Sequence, residues 1–158
     1  MEFKSIMHVA FYTDQMDEMI DFYTNKLGGK LKVVTKAKAY LGMSGVFAKI
    51  AETDPDQVII VYIEIAPLQF IELFPKATGQ SEHPSWNESI GYSHFSLLVD
   101  DLQLVREELV SKGVKILTEP SIGNSNTWKM WIADPDDNRI EIMQFTENSF
   151  QITGHIDE

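Results

Sequence analysis

At 158 residues and 44% hydrophobic, the chain fits one domain, or two small halves sharing a core. Thirteen basic against 24 acidic residues leave a net charge of −11, with Arg106 and Arg139 as the two arginines, a balance that argues against nucleic acid and anionic membrane surfaces as partners. With no cysteine there is no disulfide, no thiolate metal site and no cysteine nucleophile, so a metal ion would need His, Asp or Glu ligands.

Along the chain, IMHVAFY at 6–12 alternates like a strand. Residues 16–27 carry Met16, Met19, Ile20, Tyr23 and Leu27 at helical spacing, with Asp14 as the expected cap and Gly28 as the stop. Strands are expected at 30–35, 45–51, 58–65 and 68–74, with breaks at Asp54-Pro55 and Ala66-Pro67. Lys30, Lys32, Lys36 and Lys38 fall on one side of a strand, as a solvated edge or an anion site. Residues 75–91, rich in Pro, Gly, Ser and charge, read as a linker; it holds His83, expected in solvent, and Trp86, which would anchor the loop or cover a site.

The first pattern then returns. YSHFSLLV at 92–99 is a strand, and Leu102, Val105 and Leu109 form a helical stripe ending at Lys112 and Gly113. An offset of 86 places His94 on His8, Asp100 on Asp14 and Leu102 on Met16. The Asp and Glu residues at 100–108 read as helix capping and a charged outer face. Strands follow at 115–118, 127–133 and 138–145, with Asp134-Pro135 as a turn, and QITGHIDE with His155 reads as a loose tail. Each half is a βαβββ unit: 1–74, the 75–91 linker, then 92–146.

QFIELF at 69–74 and NRIEIMQF at 138–145 each set one glutamate among apolar neighbours, and a carboxylate in a buried strand is costly unless paired or bound. Period-two geometry groups Glu72 with Phe70 and Phe74, Glu141 with Arg139 and Met143, His8 with Ala10 and Tyr12, and His94 with Ser96 and Leu98. Taken singly, each histidine could be ordinary packing and each glutamate a solvated edge residue. Their repetition at matching places favours a shared centre of His8, Glu72, His94 and Glu141 holding one divalent ion, Zn, Ni, Co, Mn or Fe. The same region could instead be a binding cleft lined by Phe47, Tyr62, Phe70, Trp86, Trp128, Met130 and Met143.

MHVAFYT, FYTNKLG, QFIELF, SHFSLLVDDL and DPDDNRIEIMQF together resemble the glyoxalase/bleomycin resistance/dioxygenase, or vicinal oxygen chelate, superfamily. The resemblance implies an α+β fold in which two βαβββ modules form a metal-binding cleft, one glyoxalase-like domain over 1–158, with ligands at His8, Glu72, His94 and Glu141. Asp137 stands where the closing motif commonly has glycine. The two-His, two-Glu pattern looks most like lactoylglutathione lyase and its relatives. It implies a metal-dependent lyase or isomerase acting on a small carbonyl or thiol-conjugate substrate through an enediolate, with Glu141 or Glu72 as the base. A glutathione conjugate is anionic, so Arg139 or the lysines at 30–38 would have to receive it. Two other roles on the same fold are a non-catalytic, antibiotic-type binding protein and an Fe-dependent ring-cleaving dioxygenase using His8, His94 and Glu141. The resemblance also implies a homodimer. The sequence shows no signal peptide and no apolar run of membrane length, so the expected location is cytoplasmic.

Overall fold

A computed structural model describes residues 1–2, 4–81 and 84–157; His83 and its expected exposure lie outside them. The chain divides into two compact units, Met1–Glu82 and His83–Glu158.

In the first unit β1 (His8–Thr13) leads into α1 (Met16–Asp21), which continues as a π-helical turn over Phe22–Lys26. The Thr13 hydroxyl, not the expected Asp14, accepts from the Gln15 N–H at the helix entry, and Asp14 pairs instead with Lys76 at 3.3 Å. Gly28, at φ 77°, turns the chain out of the helix. The next residue, Gly29, packs so closely that a Cβ would stand 2.6 Å from the Tyr23 carbonyl oxygen, seating the helix against the sheet. β2 (Lys30–Lys36), β3 (Val58–Ala66) and β4 (Gln69–Pro75) complete a sheet of order β1-β4-β3-β2. β1 runs parallel to β4 and the other pairings are antiparallel. One sheet face buries Ile59, Val61, Ile63, Ile71 and Leu73; Met19 and Tyr23 of the helical segment are likewise fully buried.

The strand expected at 45–51 is α2 (Val46–Thr53), preceded by a 3₁₀ turn at Ala37–Tyr40. VFAKI is a short apolar run broken only by Lys49, and a run of this length does not separate strand from helix. Tertiary contact decides the matter: Ala37, Ala51 and Ile59 form a small buried cluster, packed by Tyr40, Phe47, Ile50 and Ile60, which needs the i, i+3, i+4 spacing of a helix. Three of the four lysines at 30–38 are held by acids, Lys32 by Glu64 at 3.0 Å, and Lys36 and Lys38 both by Asp56. These two lysines lower the Asp56 pKa by hydrogen bonding and charge, and the strand edge is a solvated ion-pair surface.

The second unit repeats the design. β5 (His94–Leu98), α3 (Leu102–Ser111), β6 (Ile116–Ile122), β7 (Trp128–Ala133) and β8 (Arg139–Gln144) build a sheet of order β5-β8-β7-β6, again with first and last strands parallel. Asp101 caps α3 by accepting from Leu104 N–H at 2.9 Å, and the Gln144 side chain accepts from Leu102 N–H at 2.7 Å, tying the helix entry to β8. Leu102, Leu109, Met130, Ile132, Ile140 and Ile142 are buried. The tail is more ordered than its composition suggests: Phe150–Thr153 form a helical turn, and His155 stacks on Phe150 with centroids 4.0 Å apart. No helix among the described residues is long and apolar enough to cross a membrane.

Candidate metal-ligand pairs on two matching sheet faces

Parallel pairing of β1 with β4 sets His8 opposite Phe70 and Ala10 opposite Glu72. Antiparallel pairing then sets Tyr62 of β3 directly across from Glu72. All lie on the sheet face opposite Ile71 and Leu73, because alternate residues face alternate sides. His8 Nε2 lies 3.3 Å from Glu72 Oε2, and its other ring nitrogen, Nδ1, is 2.8 Å from Met7 Sδ. Tyr62 donates its hydroxyl to Glu72 and meets the His8 ring edge-on at 6.0 Å.

The second unit uses the same register. His94 lies opposite Arg139, Ser96 opposite Glu141, and Trp131 directly across from Glu141. His94 Nε2 is 3.6 Å from Glu141 Oε2, while Nδ1 is 3.0 Å from Ser93 Oγ. The Ser96 hydroxyl donates to Glu141 Oε2 at 3.1 Å, and the Trp131 ring meets His94 at 4.7 Å in a T-shaped contact. Each carboxylate therefore receives one hydroxyl and faces one imidazole Nε2. Both are buried, at 6% and 9% exposure, while their histidines are partly open to solvent.

Hydrogen bonding to Glu72, with burial and the carboxylate charge adding to it, pushes the Tyr62 phenol up to about 12. The folded state therefore holds this proton where the unfolded chain releases it, so the contribution to stability is complete below about pH 10 and falls away toward pH 12. Spectrophotometric titration of phenolate at 295 nm is expected to lose its late component, near pH 12, in part in Tyr62→Phe; an unchanged late component would refute the Glu72 contact.

The donor chemistry and spacing of each pair suit a divalent ion. Ligands about 2.1 Å from a metal at cis or tetrahedral angles stand roughly 3.0–3.4 Å apart, close to the 3.3 and 3.6 Å found here. Each histidine also has its second ring nitrogen engaged by a neighbour, which orients the ring as a ligand requires. Within a unit each pair provides two donors, and no group of three or more His, Asp or Glu side chains suited to an ion is present among the described residues.

Of the residues expected to line a binding cleft, Tyr62, Phe70 and Met143 share a face with the carboxylates of their unit. Phe47 packs on Tyr40 and Phe74. Met130 is fully buried in the core, and Trp128, an even number of residues away on the same strand, shares that opposite face. Sequence reasoning passed over Trp131, although alternation from the Trp128 and Met130 pair puts it on the Glu141 side. Trp86 packs on Trp131, the ring that meets His94, with centroids 5.5 Å apart, so its loop is anchored beside this histidine.

The family model of the Glyoxalase/Bleomycin resistance protein/Dioxygenase superfamily matches residues 5–142. Among solved structures, a member of that superfamily from Sphaerobacter thermophilus is 18% identical with a TM-score of 0.63, covering 90% of this chain and 98% of its own. Lactoylglutathione lyase from Agrobacterium tumefaciens is 18% identical with a TM-score of 0.56, covering 89% and 92%. TioX from Micromonospora sp. ML1 is 11% identical with a TM-score of 0.61, covering 90% and 100%. At these identities the structures attest the fold, while the family match spans most of the chain. With its two four-stranded sheets of identical strand order and their repeated His and Glu positions, the chain belongs to the glyoxalase/bleomycin resistance protein/dioxygenase superfamily.

Proposed function

We propose that this protein is a glyoxalase-like lyase or isomerase that binds one divalent ion through His8, Glu72, His94 and Glu141. The observation that carries the reading is the repetition, in both units, of an imidazole Nε2 facing a buried carboxylate at near-ligand spacing. Structural ion pairing alone gives no reason for two such costly carboxylates at matching register. When bound, the ion supplies Lewis-acid polarisation of adjacent substrate oxygens.

The chain's own residues do the rest. The substrate is a small carbonyl compound or thiol conjugate whose C–H beside the carbonyl is broken. Glu141 Oε2 accepts that proton from a hydroxyl-bearing carbon, the electron pair left behind spreads onto the carbonyl oxygen as an enediolate, and the proton returns to the former carbonyl carbon while the hydroxyl proton passes to the other oxygen, leaving a new carbonyl where the hydroxyl stood. Glu141 suits this role because its partner, Ser96, has a rotatable hydroxyl that can donate to the carboxylate or accept from the carboxylic acid. Glu72, facing both His8 and the Tyr62 hydroxyl, is held more firmly and serves as ligand and secondary base. Trp131 and Trp86 provide an aromatic wall over His94.

The test is elemental mass spectrometry on protein purified without added metal and again after incubation with Zn²⁺, Ni²⁺, Co²⁺, Mn²⁺ and Fe²⁺. About one equivalent per chain is expected, lost in His94→Ala. No uptake of any of these ions would overturn the metalloenzyme reading in favour of a small-molecule binding protein; iron alone, with oxygen consumption, would favour the dioxygenase.

A further inference from the structure

With no cysteine in the chain, sulfur oxidation by peroxide falls to methionine. Met7 stands where that chemistry reaches the carboxylate face of the first unit. Its carbonyl accepts from the Phe70 N–H at 2.9 Å, which pins its backbone to β4, while the residue is 51% exposed. Its sulfur lies 2.8 Å from His8 Nδ1, and the other ring nitrogen, Nε2, faces Glu72 Oε2 at 3.3 Å. In the second unit the matching Nδ1 meets the Ser93 hydroxyl, a group that dilute peroxide leaves unchanged.

The two neighbours of the His8 ring compete for the one proton of a neutral imidazole. A proton on Nδ1 is offered to a thioether, which accepts weakly and donates nothing. A proton on Nε2 is drawn by the Glu72 charge, and charge-assisted contacts are about twice as strong as neutral ones. With Met7 reduced, the Nε2–H tautomer therefore prevails. Oxidation changes one side of this competition. The sulfur lone pair attacks one oxygen of hydrogen peroxide, the S–O bond forms as the O–O bond breaks, and the departing hydroxide takes the proton released from the attacked oxygen and leaves as water. The sulfoxide oxygen is then a polar acceptor beside Nδ1.

We propose that Met7 is a reversible oxidation site whose sulfoxide moves the His8 proton from Nε2 to Nδ1, so that peroxide sets which ring nitrogen presents its lone pair to the carboxylate face. Met7 is thus a positioning residue that acts through His8. On the function proposed above, the freed Nε2 is the atom that would bind the ion; that consequence rests on that reading, and the switch itself does not.

The experiment records the His8 imidazole ¹⁵N shifts of the full-length ¹⁵N-labelled protein in EDTA at about pH 9, far above the range near 6.5 in which imidazole ordinarily titrates. The signals are assigned by their loss in His8→Gln, and the shifts of the two nitrogens report which of them carries the proton. Hydrogen peroxide is then added, and peptide mass spectrometry follows the gain of one oxygen at each methionine. Oxidation of Met7 is expected to raise the ratio of Nδ1–H to Nε2–H tautomer about fivefold, the factor that one ordinary hydrogen bond is worth. Methionine sulfoxide reductases should restore the starting ratio. Met7→Leu should show no tautomer response to peroxide, whereas Met43→Leu, which removes a 62% exposed methionine from the loop before α2, should respond like the wild type. Met7 left unmodified when Met43 is fully oxidised, a ratio unmoved by the Met7 sulfoxide, or an equal response in Met7→Leu would overturn the proposal. Because EDTA is present throughout, failure of the metal reading leaves this result unaffected, and failure here leaves the metal measurement intact.

Discussion

On the proposed metal centre, Glu141→Ala is expected to remove most of the thermal stabilisation that a divalent ion would give the wild-type protein. Saturation at a thousandfold over the dissociation constant stabilises the folded state by about 4 kcal/mol. A chain of this size shifts by about 2–4 °C per kcal/mol, so added Zn²⁺ should raise the wild-type melting temperature by roughly 8–16 °C. Removing one of four ligands should eliminate most of that rise. In EDTA the order reverses or levels: Glu141 is a buried carboxylate supported by one Ser96 hydroxyl and one histidine, and deleting a buried charge compensated only in part relieves desolvation. The variant should therefore melt close to or above the wild type without metal and well below it with metal. Turnover of a hemithioacetal, if this is the substrate class, should fall by about 10²–10⁴, the usual worth of a positioned general base. A wild-type melting temperature indifferent to all five ions would sink the metal centre; a rise that survives in Glu141→Ala would remove Glu141 from the ligand set.

Asp134→Ala is expected to cause a large loss of stability in the second unit. Asp134 is buried and accepts from Asp136 N–H at 3.0 Å, Asn138 N–H at 2.9 Å and the Asn138 amide at 2.8 Å. Truncation leaves the buried Asn138 backbone and amide donors without their acceptor, at about 1–3 kcal/mol for each unsatisfied group. A total near 3 kcal/mol or more, read as a lower urea midpoint at unchanged m value, is the expected result. The effect should reach the site, since this turn delivers Arg139 and Glu141 into β8. Asp137→Gly in the same turn provides the control. Asp137 has φ 62°, so glycine relieves backbone strain but gains freedom in the unfolded chain, and the two effects should cancel to within about 0.5 kcal/mol. Equal losses in both variants would mean that the turn is weakened by any change of side chain, and that the Asp134 acceptor role is not its mainstay.

Sequence by itself determined the repeat. The recurrence of an alternating strand with histidine, a capped helical stripe, and a final strand with one glutamate among apolar residues placed His8, Glu72, His94 and Glu141 at matching positions, and the strand registers of the two units repeat them. Period-two alternation also assigned these residues to a common face within each unit, because strand geometry leaves a side chain one choice of two. Tertiary structure decided what local pattern could not. The VFAKI segment became a helix because Ala51 needed to meet Ala37 and Ile59, contacts invisible in a window of five residues. Three lysines of the stripe at 30–38 found ion-pair partners because Asp56 and Glu64, distant in sequence, reach them in the fold. Trp131 entered the site, and Tyr62 and Ser96 were set against their carboxylates, through cross-strand register, which depends on which residues pair rather than on what each residue is. The difference between Arg106 and Arg139 has the same origin: both are arginines in a chain rich in acids, and only the folded neighbourhood gives one a bidentate partner and leaves the other with a buried donor unpaired among the described residues.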